Sequence, residues 1–66
     1  MPIINLTMGP LTTEQKKQIV ERVTETLMDI TNIPEHSFTC IINELPLENL
    51  GVGKMTVKEK MDAMNK

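Results

Sequence analysis

The stretch Thr12-Thr13-Glu14-Gln15-Lys16-Lys17-Gln18-Ile19-Val20-Glu21-Arg22-Val23-Thr24-Glu25-Thr26-Leu27-Met28-Asp29-Ile30-Thr31-Asn32 sets the architecture of the chain. Ile19, Val20, Val23, Leu27 and Ile30 recur at helical spacing and form one apolar stripe, while Lys16, Lys17, Glu21, Arg22, Glu25 and Asp29 take the remaining surface. Thr12 followed three residues later by Gln15 is a capping box, and Glu14 complements the positive end of the helix dipole. Asn32 suits a left-handed cap, and Ile33-Pro34 forbids continuation. A helix of about five turns is expected.

On its N-terminal side, Pro2-Ile3-Ile4-Asn5-Leu6-Thr7-Met8 is short, apolar and partly β-branched, and Gly9-Pro10 closes it as a turn. Proline is tolerated as the first residue of a strand, where a missing N–H costs least. On the C-terminal side, Phe38-Thr39-Cys40-Ile41-Ile42-Asn43-Glu44-Leu45 reads as a second strand, apolar on both faces at Cys40-Ile41-Ile42 and ended by Pro46. Strand, long helix and strand make a βαβ unit with parallel strands and a right-handed crossover. A loop or short ribbon follows over Leu47 to Gly53. Thr56-Val57-Lys58-Glu59 is a second capping box, opening a brief helix lined by Val57, Met61 and Met64. The expectation is one α+β domain over residues 1–66.

Size and composition limit what such a unit can do. A chain of 66 residues gains little from its own core and needs disulfides, a metal or association. Cys40 is the only cysteine, so no intramolecular disulfide forms, and Cys40 with His36 falls short of a structural metal set. One helix also covers only one face of a two-stranded sheet. Association through that bare, apolar face is therefore expected. A net charge of −2, a single aromatic residue (Phe38) and a single arginine (Arg22) argue against nucleic acid. No apolar run approaches a membrane span, and one free thiol suits a reducing cytoplasm.

Pro2 is the residue with chemical promise. Proline after an initiator methionine is common in unrelated chains, but removal of Met1 leaves a secondary amine at the mouth of a strand. Apolar surroundings disfavour its protonated form and bring it toward the range where a general base works at neutral pH. The other signals read as ordinary structure. Gly51-Val52-Gly53-Lys54 is not a phosphate loop, because Glu48 and Met55 stand where glycine and a hydroxyl residue are required. His36 falls in a polar turn, and Cys40 in an apolar strand behaves as a small hydrophobe.

Met1-Pro2-Ile3-Ile4, Thr13-Glu14-Gln15-Lys16, Ile41-Ile42-Asn43-Glu44 and Leu50-Gly51-Val52-Gly53 occur in an order and spacing that resembles the 4-oxalocrotonate (2-hydroxymuconate) tautomerase family. The resemblance spans roughly residues 2–53. It implies βαβ protomers that pair through their sheets into dimers, with three dimers making a homohexamer. It also implies cofactor-free, metal-free isomerisation of a 2-hydroxy-dienoate or related 2-oxo acid, with Pro2 as base. Carried over by position, Leu11, Thr39, Leu50 and Val52 would line the substrate site. The chain departs from the family there. Leu11 and Thr39 stand where arginines hold carboxylates, and neither offers charge or a bidentate donor pair. Leu50 replaces an aromatic residue and preserves apolarity. Lys54 reads either as a surrogate cation reaching a pocket from a neighbouring subunit or as a solvated loop lysine. The rival expectations are a non-catalytic oligomeric module, or Pro2 used for dehalogenation, hydration or decarboxylation.

Overall fold

A computed structural model describes residues 1–65 of the chain; Lys66, the last residue of the expected domain, lies outside them. The element order is β1 (Ile3–Met8), α1 (Thr13–Thr31), a 3₁₀ turn (Glu35–Ser37), β2 (Thr39–Glu44), a second 3₁₀ turn (Leu47–Asn49), β3 (Gly51–Val52), β4 (Met55–Thr56) and α2 (Val57–Met64). Strands β1 and β2 are parallel, in a register running from Ile3 opposite Thr39 to Met8 opposite Glu44. Two bonds extend the ladder beyond its ends. Thr39 N–H donates to the Pro2 carbonyl at 3.0 Å, and Leu45 N–H donates to the Met8 carbonyl at 2.9 Å.

Local chemistry sets the helix ends. The Thr12 hydroxyl accepts from Gln15 N–H at 3.1 Å while the Gln15 side chain accepts from Thr12 N–H at 2.9 Å, so two otherwise orphaned donors are satisfied reciprocally. Asn32 takes φ 60° and its N–H returns to the Met28 carbonyl at 2.9 Å, which ends α1 in the left-handed cap. Thr56 and Glu59 repeat the reciprocal cap for α2. The expected ribbon becomes an antiparallel hairpin, with Val52 opposite Met55. Gly53, at φ 65°, stands first in the two-residue turn, where a side chain would be strained.

Side chains alternate strictly along β1. Ile4, Leu6 and Met8 are half-buried toward α1, as are Cys40 and Ile42 of β2. The opposite face is uncovered, and it is less apolar than the sequence suggests. Ile3 and Ile41 stand on it, 55% and 41% exposed, beside Asn5, Thr7, Thr39 and Asn43. The apolar run at Cys40-Ile41-Ile42 thus contributes one isoleucine to that face and sends its neighbours to the other. Flanking α1, two further apolar troughs lie open, one of them lined by Ile4, Val23 and Leu27.

No described side chain is fully buried. The radius of gyration is 15.5 Å and the longest dimension 45 Å, whereas a compact domain of this length has a radius of about 11 Å. The excess comes from the C-terminal segment. The β3–β4 hairpin and α2 rest on the Leu47–Asn49 turn and extend away from the βαβ body as an arm.

Candidate functional site

Pro2 stands one residue before β1, half-buried, with its carbonyl held by Thr39 N–H. Met1 beyond it is 88% exposed. Removing Met1 therefore sacrifices almost no packing and leaves the proline position anchored from its carbonyl side. Thr39 opens β2 directly beside this point and projects to the uncovered face.

The other residues singled out by sequence lie elsewhere. β1 has six residues, and at roughly 3.3 Å per residue it separates its two ends by about 20 Å. Leu11 follows its far end. Its side chain is half-buried in a trough with Gln15, Ile19, Arg22 and Val23. Leu50, Val52 and Lys54 follow the far end of β2 and belong to the arm. Leu50 is half-buried and its carbonyl accepts Val57 N–H at 2.7 Å, fastening α2 to the hairpin. Val52 and Lys54 are exposed, and Lys54 makes no salt bridge among the described residues. One chain thus brings Pro2 and Thr39 together and holds Leu11, Leu50, Val52 and Lys54 at the opposite end.

Glu44 acts outside the candidate residues named above. Its carboxylate accepts Leu11 N–H at 3.0 Å and pairs with the Lys16 ammonium. The Lys16 partner first, and the Leu11 N–H second, hold its pKa below the usual carboxylate value. The last residue of β2 thereby ties down the loop that carries Leu11. Its partners are 33 residues away at Leu11 and almost as far at Lys16, so no local motif could announce it.

Charge is distributed unevenly. No lysine or arginine occurs between Arg22 and Lys54. Among the described residues, the end that carries Pro2 therefore offers Asp29, Glu35 and His36 but no permanent cation of its own. His36 lies in the 3₁₀ turn and is exposed. Among the described residues no group of His, Cys, Asp and Glu side chains is placed to hold a metal ion, and no helix is long and apolar enough to cross a membrane.

A parallel strand pair crossed by one long helix, with a proline at the strand's entrance and an unpartnered sheet face, defines a tautomerase-type protomer. Comparison with known proteins agrees. The family model for tautomerase enzymes matches residues 3–60, beginning one residue after Pro2. The chain is 36% identical to a probable tautomerase K2 of Dickeya dadantii over 62 residues, covering 91% of this chain and 92% of that one. It is 35% identical to a 2-hydroxymuconate tautomerase of Pseudomonas putida over 60 residues, covering 89% and 95%. Its fold superposes on a heterohexameric 4-oxalocrotonate tautomerase of Chloroflexus aurantiacus with a TM-score of 0.82 at 25% identity, covering 89% and 97%. The chain belongs to the tautomerase family.

Proposed function

We propose that the protein is a cofactor-free tautomerase in which the secondary amine of Pro2, released by removal of Met1, moves a proton between two positions of a 2-hydroxy-dienoate or related 2-oxo acid. The observation that carries this reading is the placement of Pro2. It lies at the tip of β1, fixed through its carbonyl, with the exposed Met1 before it. As an amide its nitrogen has no useful basicity; as a chain terminus it is a base that needs no neighbour to activate it. The proton leaves the substrate's enol oxygen for the amine and returns at a carbon of the conjugated system, so the amine is regenerated. The 2-hydroxymuconate tautomerase relative supports this substrate class.

The geometry bears on how the site is completed. If Leu11, Leu50, Val52 and Lys54 contribute, they come from a different copy, because about 20 Å of β1 separates the two ends of one chain. We therefore include self-association in the proposal, with a homohexamer of single-domain protomers as its form and the cytoplasm as its place. The heterohexameric relative supports that size of assembly. Within such a site Thr39 offers a hydroxyl to substrate, Leu11, Leu50 and Val52 offer apolar walls, and Lys54 supplies the positive charge missing beside Pro2.

Two measurements on natively produced protein test the proposal. The intact mass should correspond to a chain beginning at Pro2. Pro2→Ala should keep fold and assembly and lose about 10²–10⁴ in turnover, the usual contribution of a general base. A retained Met1, or unchanged turnover in the variant, removes Pro2 from the mechanism.

A further inference from the structure

We infer that the open groove between α1 and the Glu35–Ser37 turn receives the C-terminal arm of a second copy of this chain, α2 lying along α1. The inference concerns assembly and stands independently of the chemistry at Pro2. The groove measures about 590 Å³ and is lined by Val20, Thr24, Met28 and Phe38, with Glu21, Glu25 and Glu35 among its walls. Val20, Thr24 and Met28 follow one another at i, i+4 and i+8, so they form a continuous strip along the helix. From Val20 to Met28 that strip is about 12 Å long at 1.5 Å per residue. None of the three carboxylates forms a salt bridge among the described residues.

The arm has the complementary character. Val57, Met61 and Met64 share one face of α2, and Met61 and Met64 are 45% and 82% exposed. The eight residues of α2 span about 12 Å, matching the strip on α1. Lys60, three residues after Val57 and four before Met64, stands on the shoulder of the same face. Neither Lys60 nor Lys54 is in a salt bridge among the described residues. An apolar stripe with Lys60 on its shoulder, and Lys54 in the adjoining hairpin turn, thus meets an apolar strip with anionic walls. So short a helix is marginal unless it docks.

The chain's own arm is placed elsewhere. It packs on the Leu47–Asn49 turn and borders a cleft with Pro10, Pro46, Leu47 and Glu48, beyond the C-terminal ends of the strands. The groove floor at Phe38 adjoins the opposite end of β2, about 20 Å away. The occupant is therefore another copy's arm, in a contact that closes by reciprocal exchange about a two-fold axis or, head to tail, as a ring.

Charge reversal tests this. Glu21→Lys with Glu25→Lys, and separately Lys60→Glu, should each raise the concentration at which the assembly dissociates by about tenfold, since like charges then face each other across the contact. The combined variant should recover much of the loss. A second arm removes dependence on those charges. In a Cys40→Ser background, chains bearing Thr24→Cys are mixed with chains bearing Met61→Cys and oxidised at micromolar concentration. A mixed disulfide exceeding both symmetrical ones is expected. Unchanged dissociation in the charge variants, a combined variant no better than its parents, or symmetrical disulfides alone would overturn the inference.

Discussion

Two inactive chains should make one active enzyme when mixed. Pro2→Ala removes the base at one end of the protomer; Leu11→Asp places a carboxylate where the proposed site has an apolar wall at the other end. β1 puts about 20 Å between these ends, so neither lesion reaches the other within a chain. After unfolding, equal mixing and refolding, a site draws Pro2 from an intact copy in half of cases and Leu11 from an intact copy in half. About one quarter of the sites are then whole, whatever the number of copies in the closed assembly. Initial rates on a 2-hydroxy-dienoate should reach roughly one quarter of wild type per site, against parents lower by about 10² or more. The same chains mixed without unfolding give the control for exchange. A refolded mixture as inactive as its parents, with mass spectrometry showing mixed assemblies, would refute the division of the site between copies.

Other consequences can be measured singly. Thr39→Arg, beside Pro2, should raise kcat/KM for a dicarboxylate such as 2-hydroxymuconate, because hydrogen bonds to ions contribute about 1.5–3 kcal/mol; steady-state kinetics showing a wild type already efficient on that substrate would make Lys54 the cation to remove. Thr12→Ala deletes one half of the α1 capping box and should lower stability by about 1 kcal/mol, read as a denaturation midpoint reduced by several degrees. Glu44 has a folded pKa below its unfolded value, so its tether contributes fully above the usual carboxylate range. The contribution fades as pH falls through the lowered value, and the Leu11 amide resonance should move in that acidic window and not near neutrality.

Much of the protomer is legible from local chemistry. Thr12 with Gln15, and Thr56 with Glu59, announce helix starts through side chains only three residues apart, and Asn32 marks a stop because few residues accept its backbone conformation. The strands follow from β-branched runs, with boundaries off by a residue at each end of β2. What escaped was non-local. The Glu44 tether pairs residues distant in sequence. The distribution of polarity over the sheet depends on which parity of β2 faces α1, which the run Cys40-Ile41-Ile42 does not reveal. Pro2 was visible as a candidate base, since its chemistry needs only its position in the chain. Its proposed companions Leu11, Leu50 and Val52 lie at the other end of the protomer, as the parallel register dictates.

The absence of any fully buried side chain among the described residues has a kinetic consequence. A chain whose interior is half-finished can collapse alone, and under the proposed self-association it completes its packing only on meeting another. In the assembly proposed above, the slow step of refolding is then an encounter, and its half-time should shorten in proportion as chains become more concentrated. Dilute chains would linger with exchange-labile amides in β1 and β2, exposed along two open strand edges. The cell's rate of synthesis, as much as the sequence, would set how long each copy waits in that unfinished state.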